Sequence, residues 1–168
     1  ATKVVLLPLY PQFSTTTTAS SFKSWKEAGG PAGTAVCCYP DTPKFIDAHA
    51  RKLIDAWEAA GKPENVRCLL SAHGLPEVVV KSGDPYQWQV ERTVAALKPL
   101  LPAEWEIEIC YQSRVGPLQW IGPPTDASIE KAAIDGKAIL LSPIAFVSEH
   151  IETLVELDIE YKHLADKH

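Results

Sequence analysis

The feature that most constrains this chain is alternation. Short apolar runs bounded by turn residues follow one another along the sequence, and stretches with helical periodicity lie between them. Residues 4–9, 34–39, 66–72, 106–111 and 139–144 read as strands. Thr42-Pro43 opens a helix with an apolar line of Ile46, Ala50, Leu53, Trp57 and Ala60, closed by Gly61 and Pro63. Asp84-Pro85 opens another, which Pro99 stops, and Thr125 is the expected cap of a third that ends at Gly136. A Ser/Thr-rich stretch, 14–21, leads into a short amphipathic segment with Phe22 and Trp25. Parallel strands need a crossover long enough to hold a helix, so this order implies an α/β fold. The expected architecture is a parallel, doubly wound, Rossmann-like sheet with helices on both faces.

Open parallel sheets take ligands beyond the carboxyl ends of their strands. The chemically distinctive residues fall there: Tyr10, Tyr39 and Asp41, then His73 beside Gly74, then Gln112, Ser113 and Arg114, and finally Glu149, His150 and Glu152. Ser148 is the expected N-cap of the last helix, which puts Glu149, His150 and Glu152 in its first turn. The positive end of a helix dipole favours carboxylate and disfavours imidazolium. A neutral His73 and an ionised Glu152 could hold a divalent first-row metal or relay protons. Two protein ligands make an open site, suited to a metal that is handed on. Glu152, Glu156 and Glu160 recur at i, i+4, i+8, which describes either a solvated face or a path for cations or protons. Tyr86, Trp88 and Trp120 are either packing residues or an aromatic wall for a flat ligand.

Several classes are disfavoured. A net charge of −5 with no basic cluster argues against a nucleic-acid surface. The longest apolar runs are strand-sized, so no transmembrane segment is expected and no signal peptide opens the chain; the expected location is the cytoplasm. Cys37, Cys38, Cys68 and Cys110 lack CxxC or Cys/His spacing and read as reduced core thiols. His150-Ile151-Glu152 matches the first half of a zinc-deaminase motif, but no P-C-x-x-C follows.

Five blocks together resemble the ferrochelatases, which insert ferrous iron into protoporphyrin IX in the last step of haem synthesis. They are LLPLYPQFSTTTTASS (6–21), SAHGLPE (71–77), GDPYQWQVE (83–91), YQSRVGPLQWIGPPTD (111–126) and SPIAFVSEHIETLVELDIEYKHLA (142–165). The resemblance implies that His73 and Glu152 are the iron-binding and proton-handling pair. It implies that Glu149, Glu156 and Glu160 belong to an acidic path, and that Ser113, Arg114 and Trp120 lie beside the porphyrin. Protoporphyrin IX and Fe²⁺, a substrate metal, are the implied partners. Family chains are about twice this length, with two similar lobes. On that pattern residues 1–28 are the end of the first lobe, most of which is missing, and residues 29–168 are the second. Some members carry an iron–sulfur cluster on a C-terminal cysteine extension and a cysteine in the block matching YPQFSTTTT; here that block has none, so no cluster is expected. Weak or no turnover by this polypeptide alone, with retained metal binding, follows from the missing lobe. The rivals are a non-catalytic metal- or porphyrin-binding domain and a chelatase for another tetrapyrrole of the sirohydrochlorin or cobalt type. The apolar loop 115–124 favours the planar porphyrin over the latter.

Overall fold

A computed structural model describes residues 3–167. Its strands are β1 (Val5–Leu6), β2 (Thr34–Ala35), β3 (Val66–His73), β4 (Glu106–Gln112) and β5 (Ala138–Pro143). The last three form a parallel sheet in the order β4-β3-β5, with His73 opposite Gln112 at its carboxyl edge. β1 and β2 form a separate parallel ladder of two residues each. The strands expected at 4–9 and 34–39 are therefore truncated. Proline contributes: Pro8 lies inside the first run, and a proline has no N–H to give a ladder, so the pairing of Leu6 with Ala35 is not carried on. Val5, Leu7 and Leu9 stay exposed, so this apolar run is not a buried strand.

The helices are α1 (Ser20–Glu27), α2 (Pro43–Ala59), α3 (Glu77–Lys81), α4 (Tyr86–Leu97), α5 (Thr125–Ile134) and α6 (Lys162–Ala165). Two wider π-helical segments, Thr15–Ala19 and Glu152–Tyr161, complete the set with a 3₁₀ turn at Lys98–Leu100. α2 begins at Pro43 and stops before Gly61, whose φ of +82° is the left-handed conformation expected just past a helix end. Thr125 is the first helical residue of α5 rather than its cap, and its hydroxyl turns inward to Ser71 at 2.9 Å.

β3 organises the packing. Side chains alternate between faces along a strand, so Cys68, Leu70 and Ala72 go one way, into a core with Ile46, Ala50 and Leu53 of α2 and Val90, Val94 and Leu97 of α4. Leu69 goes the other way, where it meets Cys110 of β4 and Ile129 of α5, backed by Tyr161 and Leu164. Helices thus cover both faces, and the fold is α/β and doubly wound. Cys68 and Cys110 are buried as expected, but Cys37 is exposed and Cys38 half-buried, because the strand that would have sheltered them ends at Ala35. No helix among the described residues is long and apolar enough to cross a membrane. Leu70 is fully buried at the centre of the larger core, and Leu70→Ala is expected to cost about 2–5 kcal/mol by transfer plus cavity. Urea unfolding should show the midpoint falling with an unchanged slope.

Candidate functional site

His73 and Glu152 are 79 positions apart in sequence and meet at 2.8 Å, Nδ1 to Oε2. β3 delivers the histidine at its carboxyl end; the first turn of the Glu152–Tyr161 segment delivers the glutamate. Gly74 makes the seat possible. Its N–H donates to the Gln112 carbonyl at 2.9 Å, and a Cβ there would lie 3.0 Å from that oxygen and 3.2 Å from the Trp120 ring. An ionised carboxylate only accepts, so the bond puts the proton on Nδ1 and leaves the Nε2 lone pair of a neutral His73 free to bind a cation or take a proton. Both side chains are half-buried, at 38% and 27% accessible, so each remains reachable.

They stand in a cleft of about 380 Å³ with apolar walls from Tyr10, Leu75, Tyr86, Ala145 and Phe146. Burial, with smaller effects from Tyr111 and the Glu152 carboxylate, pushes the Tyr86 phenol far above its ordinary range, so it stays neutral. No cluster of three or more His, Cys, Asp or Glu side chains suited to a metal occurs among the described residues. The pair presents one imidazole and one carboxylate to this cleft.

The helix carrying Glu152 starts later than expected. Thr153 and Leu154 donate their N–H groups to the His150 carbonyl, and Thr153 Oγ1 accepts from the His150 N–H at 2.9 Å. His150, not Ser148, is the cap; a threonine three residues on closes the bracket that a serine was expected to supply. Glu152 remains in the first turn, whereas Glu149 falls outside the helix.

One wall of the cleft is held by polar bonds, most of them to one carboxylate. Asp84 is 6% exposed and accepts from Ser14 Oγ (2.9 Å), Thr15 N–H (2.7 Å), Thr15 Oγ1 (2.6 Å) and Tyr86 N–H (2.9 Å). It takes the N–H of Tyr86, the first residue of α4, and ties Ser14 and Thr15 to that helix start. Gln89 Oε1 accepts from Phe13 N–H at 2.7 Å, and Gln12 Nε2 donates to Thr93 Oγ1 at 2.9 Å. These anchors escaped sequence reasoning, which took Asp84-Pro85 only as a helix start.

The whole chain, residues 1–168, matches the ferrochelatase family. The chain belongs to that family. It is 58% identical to the ferrochelatase of Hyphomonas neptunium, over 100% of this chain and 47% of the relative. It is 59% identical to that of Caulobacter vibrioides over 98% of this chain and 48% of the relative, and 50% identical to that of Rickettsia bellii over 99% and 47%. The chain thus spans about half the length of the curated relatives it matches.

Within this ferrochelatase-family chain the other expected site residues scatter. Glu156 accepts from Gln112 Nε2 (3.2 Å), Ser113 N–H (3.0 Å), Ser113 Oγ (2.5 Å) and Tyr161 OH (3.0 Å). Ser113 adopts φ +65°, a costly conformation for a residue with a side chain, and these bonds to Glu156 hold it there. Burial, then Glu156, raises the Tyr161 phenol far above its usual range, so it remains a donor. Gln112 is fixed in turn by Ser71 Oγ at 2.8 Å. Glu149 and Glu160 are exposed. The acidic ridge is thus divided: Glu152 turns to His73, Glu156 to the Gln112–Ser113 corner and Glu160 to solvent. Ser113, Arg114 and Trp120 line a second cavity of about 440 Å³ with Glu156 and Tyr161, not the cleft of His73. Trp88 leaves the aromatic wall: it is exposed, with the Arg92 guanidinium 5.3 Å above its ring. Tyr86 alone of the three lines the cleft.

Burial by itself would raise the Asp84 carboxyl, but the bonds from Thr15, Tyr86 and Ser14 outweigh it and hold the group below its ordinary value. Its contribution to stability is therefore complete above the unfolded value of about 3.9 and is lost as pH falls through the lower folded value. Asp84→Asn is expected to cost roughly 1–3 kcal/mol at neutral pH and to flatten the acid limb of stability against pH. Urea titrations of both proteins at a series of acidic pH values check it.

Proposed function

We propose that this chain carries the metal-handling part of a ferrochelatase, inserting Fe²⁺ into protoporphyrin IX to form protohaem. The observation that carries the reading is the His73–Glu152 pair, joined at 2.8 Å and facing a cleft with aromatic and aliphatic walls. Metallation removes two N–H protons from the tetrapyrrole and delivers a desolvated dication to its centre. The free Nε2 of His73 is suited to accept a proton or ligate the arriving metal, and Glu152 balances the charge that His73 gains in either case. The apolar walls match the faces of a porphyrin, and Tyr10, Tyr86 and Phe146 are the aromatic members.

Glu149, Glu156 and Glu160 serve in this reading as the acidic path, with Glu156 also anchoring the loop at Ser113. Ser113, Arg114 and Trp120 lie beside the porphyrin, from the neighbouring cavity. Residues 1–28 belong to the first lobe of the family and residues 29–168 to the second, with Asp84 as the polar tie between them. The chain acts in the cytoplasm and holds no iron–sulfur cluster, the 10–18 block having no cysteine.

A second reading is a metal- or porphyrin-binding domain without turnover. Titration with Zn²⁺ as probe tests the pair. His73→Ala and Glu152→Gln are each expected to weaken binding at least about tenfold, and unchanged affinity would sink the assignment. Anaerobic assay of the longer chain with Fe²⁺ and a panel of tetrapyrroles then separates the readings. Haem formation supports the ferrochelatase, metallation of a precorrin-type ring alone supports the rival chelatase, and binding without product supports the domain.

A further inference from the structure

Cys37 and Cys38 are adjacent in sequence, accessible or half-accessible, and unused by the reaction proposed above. Their sulfurs lie 3.2 Å apart, far beyond the S–S bond length of about 2.05 Å, so they are two thiols in contact. The backbone on either side is fixed: Val36 N–H donates to the Leu6 carbonyl at 2.9 Å and Tyr39 N–H to the Pro11 carbonyl at 2.8 Å. Thr93 Oγ1 donates to the Pro40 carbonyl at 2.7 Å, and Gln89 Nε2 reaches the Cys38 sulfur at 3.6 Å. The dithiol is pre-organised, which removes part of the ordering cost of a bidentate ligand. The other two cysteines do not compete. Cys68 and Cys110 are fully buried, and burial lifts their thiols to about 12 and about 11.

The bite selects the ligand. A tetrahedral zinc with Zn–S bonds of about 2.3 Å needs sulfurs roughly 3.8 Å apart, whereas bonds of that length closing at about a right angle span roughly 3.3 Å. The latter is the geometry of a pyramidal trivalent centre. We propose that Cys37 and Cys38 form a chelating site for trivalent arsenicals, separate from the His73–Glu152 cleft. Capture is a condensation without electron transfer. With phenylarsine oxide, two S–H bonds and the As–O bond break, two As–S bonds form, and the oxygen leaves as water with both thiol protons.

The test adds phenylarsine oxide to the reduced, folded chain and reads intact mass. One adduct per chain is expected, lost in Cys37→Ser and in Cys38→Ser, removed by 2,3-dimercaptopropanol and resistant to 2-mercaptoethanol at the same thiol concentration. The two reversal experiments use the unaltered chain and so do not depend on how the variants fold. Absence of an adduct on the unaltered chain, its survival in either serine variant, or its removal by the monothiol would overturn the site.

Discussion

A strand covered on both faces can present chemistry only at its ends, and β3 is such a strand. From Val66 to Ala72 every residue is buried, with α2 and α4 on one side and α5 on the other. Its neighbours run parallel to it, so the carboxyl ends of three strands come out on one edge. That edge receives His73 and Gln112 in register, with the loop after β5 beside them. The helix bearing Glu152 then has to return across the same edge, and the 2.8 Å bond to His73 follows from this geometry. Apolar packing supplies the stability, and the strand direction decides where the polar groups gather.

Around that edge carboxylates act as fasteners. Asp84 and Glu156 each accept four hydrogen bonds, one holding the first residue of a helix and a loop segment, the other a strained serine and a tyrosine. Both are anchored by neutral donors, and among the described residues neither is in a salt bridge. Glu152 differs: its partner is an imidazole that can change charge. Three carboxylates of similar sequence character thus take separate tasks according to what faces them.

Much of this was legible in the residues. β3, β4, β5 and α2 could be read because local pattern and burial agree: Ile46, Ala50 and Leu53 repeat at helical spacing and all three are buried. The meeting of His73 with Glu152 could be anticipated because parallel strands put both at one edge. What escaped depended on partners distant in sequence. Asp84 looks like an ordinary helix start until Ser14 and Thr15 arrive from 70 and 69 residues away. The run at 4–9 is apolar, but Pro8 and the exposure of Val5, Leu7 and Leu9 leave it a two-residue ladder. Glu156 looks like part of a charged stripe and proves to be tied to a corner of the sheet.

The clamp at Asp84 has a thermodynamic corollary. Among the described residues, none of the buried apolar side chains that make up the core comes from before Ile46; what that region buries tightly is Pro11, Gln12, Ser14, Thr18 and Pro40. One side of the cleft is therefore fixed mainly by directional polar bonds, while the opposite side is continuous with the hydrocarbon interior. Such a region behaves as its own cooperative unit, with an opening free energy below that of global unfolding. Amide protons of the N-terminal segment would then exchange through sub-global excursions that leave the three-stranded sheet protected, and the cleft can widen from one side while the other keeps its shape.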